Sequence, residues 1–503
     1  MHPRAAYEEL IRQVRQEALL DSCAALLAWD EETYMPLGGA EHRGRQMALL
    51  AGLCHDRATD PRLDELLASV EQSDLVSDPL SPEAVNVREI RRLYRRAVRL
   101  PRGLVEELAR VTSMAQVEWA VARRRADYKH FRPWLEQVLR LKRREAESLG
   151  SDTVLYDALL EEYEPAARSR DLAVLFEELR RALVPLVAAL SQAPRQPNTS
   201  LLHREFPLDR QHEFAQAAAA AIGFDFERGR LDTAAHPFFI TIGPSDCRLC
   251  TRYNRHDFSA GFFATLHEAG HGLYEQGLAA EYHGTPMGNA VSLGVHESQA
   301  RLWENVIGRS RPFWQHFFPL ARRMFPVALG DARPEDFYFA VNCVRPSFIR
   351  VEADEVTYNL HILIRFELEQ ALLTGDLPAA DLPSAWNETY RRHLGITPRD
   401  DAEGCLQDGH WASGLIGYFT TYTLGNLIAA QLFERATANL GDLSEPFSRG
   451  DFSPLLDWLR DRVHRHGSRY PAPRLIEQAT GTSHDHRPLL RGLQRKYAKL
   501  YDL

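Results

Sequence analysis

The chain has 503 residues, 45% of them hydrophobic, enough apolar material for a large buried core. A formal net charge of −9 excludes a protein that holds nucleic acid through overall positive charge. Six cysteines in so long a chain make no disulfide framework, so the composition fits a reducing, cytoplasmic compartment.

The N-terminus, residues 1–17, reads as a charged amphipathic helix without an apolar signal core. Apolar residues recur every three to four positions over residues 7–29, 41–54, 82–99, 104–126, 131–149 and 172–190, which predicts helices. The basic stretches 88–102 and 123–144 are interleaved with Glu and apolar residues and read as solvated helix faces. A short loop at 194–198 divides an N-terminal half (1–195) from the remainder (196–503). Without repeats or low-complexity linkers, the expectation is one mostly α domain.

The strand signal lies at Phe238-Phe239-Ile240-Thr241-Ile242, followed by the turn Gly243-Pro244-Ser245-Asp246 and the run Cys247 to Tyr253. This reads as a hairpin, either a prop for the next helix or an edge on which an extended peptide adds as a strand. Cys247 and Cys250 form a lone C-x-x-C inside it, on opposite strand faces, and do not read as a metal site. Residues 413–433 carry no charge, but their glycines, threonines and tyrosines predict a buried segment lining a polar site rather than a membrane span. His464, His466, His484 and His486 read as surface residues of a polar C-terminal region.

Residues 258–278 have helical spacing and contain His267-Glu268-Ala269-Gly270-His271. Residues four apart share a helix face, so His267 and His271 can direct imidazoles at one metal ion. Glu268 lies about 100° round from His267, placed to touch a water on the metal without binding it. Two satisfied surface histidines would give the same letters; the functional reading is the zinc-peptidase device. A catalytic zinc takes three protein ligands and keeps one open position. The next helical stretch, 291–307, offers His296 and Glu297, with Glu304 as a further candidate, and its periodicity does not choose between them.

The chain resembles the carboxypeptidase Taq family of metallocarboxypeptidases. The resemblance rests on His267-Glu268-Ala269-Gly270-His271, on His296-Glu297-Ser298-Gln299, on Asp246-Cys247-Arg248-Leu249-Cys250 against D-x-R-x-T, and on Ile349-Arg350-Val351-Glu352-Ala353-Asp354. Gly404 to Trp411 matches G-x-x-Q-D-x-H-W, and Ala28 to Pro36 is similar to the N-terminal signature. The blocks run in order over most of the chain. The resemblance implies Glu297 as third ligand, a gluzincin-type helical fold with a deep groove capped by the N-terminal helices, and a homodimer. It also implies release of single C-terminal residues from short or unfolded peptides, with broad tolerance and poor reaction at proline. Two positions depart from the pattern: Cys250 stands where Thr is usual, and Thr420 where Pro is usual.

In this reading zinc, with cobalt as a workable substitute, activates water and Glu268 acts as general base. His410, Tyr418 and Tyr422 are candidate donors to the oxyanion; the alternative for each is ordinary packing. Arg350 is the candidate fork for the substrate carboxylate, with an internal ion pair to Asp354 or Glu355 as its structural alternative. Arg248 is a candidate substrate contact, with a salt bridge to Asp246 as its alternative. Asp408 is a candidate carboxylate for orienting a ligand histidine. Competing functions are an oligoendopeptidase, a dipeptidyl carboxypeptidase, or a non-catalytic peptide-binding scaffold. No nucleic acid or membrane partner is expected.

Overall fold

In a computed structural model, residues 2–150 and 154–503 are described. The chain opens with α1 (Pro3–Thr33), α2 (Ala40–Ala58), α3 (Pro61–Glu71) and α4 (Pro82–Arg99). Then follow α5 (Arg102–Arg125), α6 (Tyr128–Leu149), α7 (Leu155–Leu160), α8 (Ser169–Gln192) and α9 (Leu208–Ala221). Polar caps start several of these helices: Asp60, Ser81 and Asp127 each accept a backbone N–H of the first turn.

Three strands come next: β1 (Gly229–Thr233), β2 (Phe238–Gly243) and β3 (Asp246–Thr251), in the order β1-β3-β2. β2 and β3 form the expected antiparallel hairpin, with Phe238 opposite Cys250. β1 pairs parallel with β3, Gly229 opposite Cys247. The sheet supports α10 (Phe258–Gly277), whose start is capped by Asp257, accepting from the N–H groups of Ser259 and Ala260.

α11 (Leu293–Arg301) runs into a π-helical turn, Leu302–Ile307. After it come α12 (Arg311–Met324), α13 (Pro326–Leu329), α14 (Pro334–Ala340), α15 (Thr357–Thr374), α16 (Leu382–Leu394) and α17 (Thr420–Leu440). Four shorter helices follow, ending with Arg487–Tyr501.

One large apolar core runs from Leu104 to Tyr501. α1, α3 and α4 share a smaller cluster built on Ala6, Leu10, Leu66, Leu67, Val70 and Ile90. α2 contributes no buried residue.

Two glycines fix the spacing of the central helices. A Cβ on Gly270 of α10 would lie 2.6 Å from Ala300 Cα and 2.6 Å from Gln299 O, so only glycine lets α11 approach this closely. A Cβ on Gly425 of α17 would meet Glu297 Cγ at 2.4 Å, so α17 presses directly behind that side chain. The uncharged 413–433 segment divides in two: turns up to Phe419, with Gly414 and Gly417 at φ +75° and +94°, then the start of α17. Among the described residues, no helix is long and apolar enough to cross a membrane.

Candidate active site

The close contact of α10 with α11 brings His267, His271 and Glu297 together. Their ligand atoms lie within 4.8 Å of one another, the one such group of His, Cys, Asp and Glu among the described residues. Glu297 Oε2 is 3.7 Å from His267 Nε2 and 3.7 Å from His271 Nε2. Two donors bound at about 2.0–2.1 Å to one ion span no more than about 4.2 Å, so the two 3.7 Å separations fit a shared cation.

Hydrogen bonds aim both imidazoles. His267 Nδ1 meets Glu304 Oε2 at 2.9 Å. His271 Nδ1 meets His296 Nδ1 at 2.6 Å, and His296 Nε2 meets Glu275 Oε1 at 3.0 Å. For Nε2 to face the common point, each ligand histidine must carry its proton on Nδ1. His271 then donates to His296, and His296 donates to Glu275. Glu304 and His296, sequence candidates for the third ligand, therefore lie behind the imidazoles, and Glu297 alone of the three faces them. Asp408 orients neither histidine.

Glu268 follows His267 on α10 and is 7% exposed. Burial pushes its carboxyl up to about 7, with Glu297 and Glu304 adding to the rise and His267 opposing it. A bound cation acts in the opposite direction. Arg301 donates from Nε to Glu297 Oε1 at 2.7 Å and from Nη1 to Glu304 Oε2 at 3.1 Å.

Arg350 sits in a 3₁₀ turn, Arg350–Glu352, and not in an α-helix. It pairs with neither Asp354 nor Glu355. Asp354 caps α15 by accepting from Val356 N and Thr357 N, and Glu355 takes Lys496 and the Tyr497 hydroxyl. Arg350 instead donates to Asp408 Oδ1 and, from Nη1 at 2.8 Å, to the Tyr358 hydroxyl. Arg365, which the sequence reading missed, holds the other oxygen of Asp408 at 2.7 Å.

Tyr422 lies beside this group, its hydroxyl 3.2 Å from His410 Nε2. His410 stacks on Phe419 with centroids 4.4 Å apart, rather than on its neighbour Trp411. Burial, with Arg350 and Arg365 nearby, pushes His410 down to about 4, so the ring is neutral at ordinary pH. Burial, then Glu297, pushes the Tyr418 phenol up to about 12. Tyr422 is raised well above its usual value, chiefly by burial.

The amino-acid profile of the carboxypeptidase Taq (M32) metallopeptidase family matches residues 9–497. The chain belongs to this family. Thermostable carboxypeptidase 1 of Thermus thermophilus is 54% identical over the whole of both chains. Carboxypeptidase 1 of Bacillus subtilis is 38% identical over 95% of each. The crystal structure of an M32 carboxypeptidase from Deinococcus radiodurans superposes with a TM-score of 0.96 at 41% identity, covering 99% of this chain and 100% of that one. The protein is thus a metallocarboxypeptidase, a peptide hydrolase of mostly helical fold that uses a divalent metal.

In this carboxypeptidase Arg248 forks Asp246 at 2.9 and 2.8 Å, and its guanidinium lies 4.1 Å from the centroid of Trp29 on α1. Cys250 is fully buried. Thr420 begins α17, where Pro fits a helix without loss of a bond, and its hydroxyl donates to Gly417 O at 2.7 Å, holding the turn. His464 is not a surface residue. It is fully buried, bonded through Nε2 to Gln299 Oε1 at 2.9 Å and packed at a tilt against Tyr274, and burial pushes it down to about 3. The signal for Arg301 was present in the letters: it stands four residues after Glu297, one helical turn on.

Proposed function

We propose that this carboxypeptidase is a zinc enzyme that removes single residues from the free C-terminus of short or unfolded peptides, with broad side-chain tolerance. The observation that carries the reading is Glu297 Oε2, equidistant at 3.7 Å from two imidazole nitrogens aimed at the same point. Two imidazoles and one carboxylate suit zinc, and cobalt serves as a substitute. When bound, zinc supplies Lewis-acid polarisation of the scissile carbonyl and a lowered pKa for the attacking water.

The protein's own groups do the rest. Glu268 takes the proton of the attacking water and returns it to the leaving amine. Burial keeps the phenols of Tyr418 and Tyr422 protonated, so each offers an O–H donor to the developing oxyanion. Neutral His410 orients the Tyr422 hydroxyl. Arg350, tied to Asp408 and Tyr358, has two of its five N–H groups left for the substrate carboxylate. Phe239 on β2 packs within 5.9 Å of the rings of both His271 and His296, so a peptide laid along β2 passes the metal point. Arg248, with its fork taken by Asp246, contacts a substrate only at its edge and mainly ties β3 to α1.

The whole chain acts as one catalytic domain, with the helices outside the main core roofing a groove. Six free cysteines support a reducing, cytoplasmic setting. A homodimer is supported by α2, which buries nothing and presents Leu49 and Leu53 at 65% and 42% exposure. Time-resolved mass spectrometry of one unblocked peptide tests the reaction. A ladder shortened one residue at a time from the C-terminus, abolished by chelator and by C-terminal amidation, is the expected result. Internal cleavage, or release of residue pairs, rejects the reading.

A further inference from the structure

Arg301 stands at the centre of a closed circuit. Its Nε holds Glu297 Oε1 at 2.7 Å, and its Nη1 holds Glu304 Oε2 at 3.1 Å. Glu304 Oε2 in turn accepts from His267 Nδ1 at 2.9 Å, and His267 Nε2 faces Glu297 Oε2 at 3.7 Å. Arg301 is 8% exposed and lies face-on to Tyr358 at 4.2 Å, so its planar fork has one orientation available. The π-helical turn directly after it carries Glu304 to His267.

We infer that Arg301 is a positioning residue of the metal centre: it occupies one oxygen of Glu297, limiting that carboxylate to a single ligating atom, and locks His267 in register with it. The inference rests on the metal-centre reading above. A free carboxylate beside a divalent ion can grip it with both oxygens and fill a place that water or the substrate carbonyl needs. With Oε1 bound to a guanidinium, Glu297 offers only Oε2. A fixed cation beside a metal ion would ordinarily oppose binding; here the carboxylates of Glu297 and Glu304, both bonded to Arg301, balance it. Lysine has a single ammonium and no planar fork, so it cannot reproduce both contacts.

The test compares the parent protein with R301K after loading with Co²⁺, whose visible absorption is strong in four-coordinate sites and weak at higher coordination. R301K should bind one equivalent of Co²⁺ but absorb more weakly. Its kcat should fall by about 10–100-fold with KM within about threefold, the scale for groups that hold metal ligands. An unchanged spectrum overturns the inference, whether kcat falls or not, because the ligand geometry would then not depend on the fork. Failure of the parent itself to take up Co²⁺ rejects the metal-centre reading instead. Should R301K not fold, Glu304→Leu removes the acceptor of the other arm while leaving Arg301 on Glu297. There the Co²⁺ dissociation constant should rise by about 10-fold or more, and an unchanged constant overturns the inference.

Discussion

Arg350 directs Nε and Nη2 at a single carboxylate oxygen, Oδ1 of Asp408, at 3.0 and 2.8 Å. Asp408 is shared with Arg365, which is fully buried. One carboxylate therefore serves two guanidinium groups, and the residual positive charge supports the proposed binding of a substrate carboxylate here. Asp408→Asn leaves both cations buried without their counter-charge. The expected cost is about 3–5 kcal/mol of stability, read from urea unfolding, together with a raised KM for unblocked peptides. Stability within about 1 kcal/mol of the parent contradicts this account of the pair.

Glu268→Gln keeps shape and burial but removes the proposed base. kcat should fall by about 10²–10⁴-fold while metal content stays at one equivalent. Activity by steady-state assay and metal by atomic absorption check the two halves separately. Retained turnover assigns the proton transfer elsewhere.

Arg350→Lys retains charge but loses the fork. KM for unblocked peptides should rise by about tenfold or more, with a smaller change in kcat. A pure kcat effect would show that Arg350 does not hold the substrate.

Much of this was legible beforehand for physical reasons. The six N-terminal helices announced in the letters are all present, and in five of them the periodic apolar residues supply buried positions; α2 is the exception and buries none. α3 was missed although Asp60 and Pro61 open it with a cap and a first-turn proline. β1 was missed because Gly229-Arg230-Leu231-Asp232-Thr233 has one apolar side chain and takes its pairing from β3. Among site residues, His267 and His271 follow from helical geometry. Periodicity could not separate His296, Glu297 and Glu304, because all three come close to the metal point at different depths. The partners of Arg350 lie 8 and 58 residues away in the chain, Tyr358 and Asp408, and no local spacing signals the second of them. His464 misled for the same reason: its polar neighbours say surface, yet Gln299 and Tyr274 enclose it.

Glu164 gives a pH-dependent term in stability. It is 1% exposed and accepts from Gly294 N at 2.9 Å through Oε2. Burial pushes its carboxyl up from the usual 4.5 to about 7, with Ser292 and Gly294 pulling the other way. The folded state thus holds this proton more tightly than the unfolded state does. The associated stability is fully present below the unfolded value and is lost as pH rises through the folded one, an effect of about 3 kcal/mol. Urea midpoints across that window should fall less for Glu164→Gln than for the parent. Parallel slopes in the two proteins reject the assignment.

The shared metal point is tested most directly by anomalous diffraction at the zinc edge from zinc-loaded crystals. A single peak is expected about 2.0–2.2 Å from His267 Nε2, His271 Nε2 and Glu297 Oε2. A peak bound elsewhere, or one missing any of these three side chains, contradicts the account.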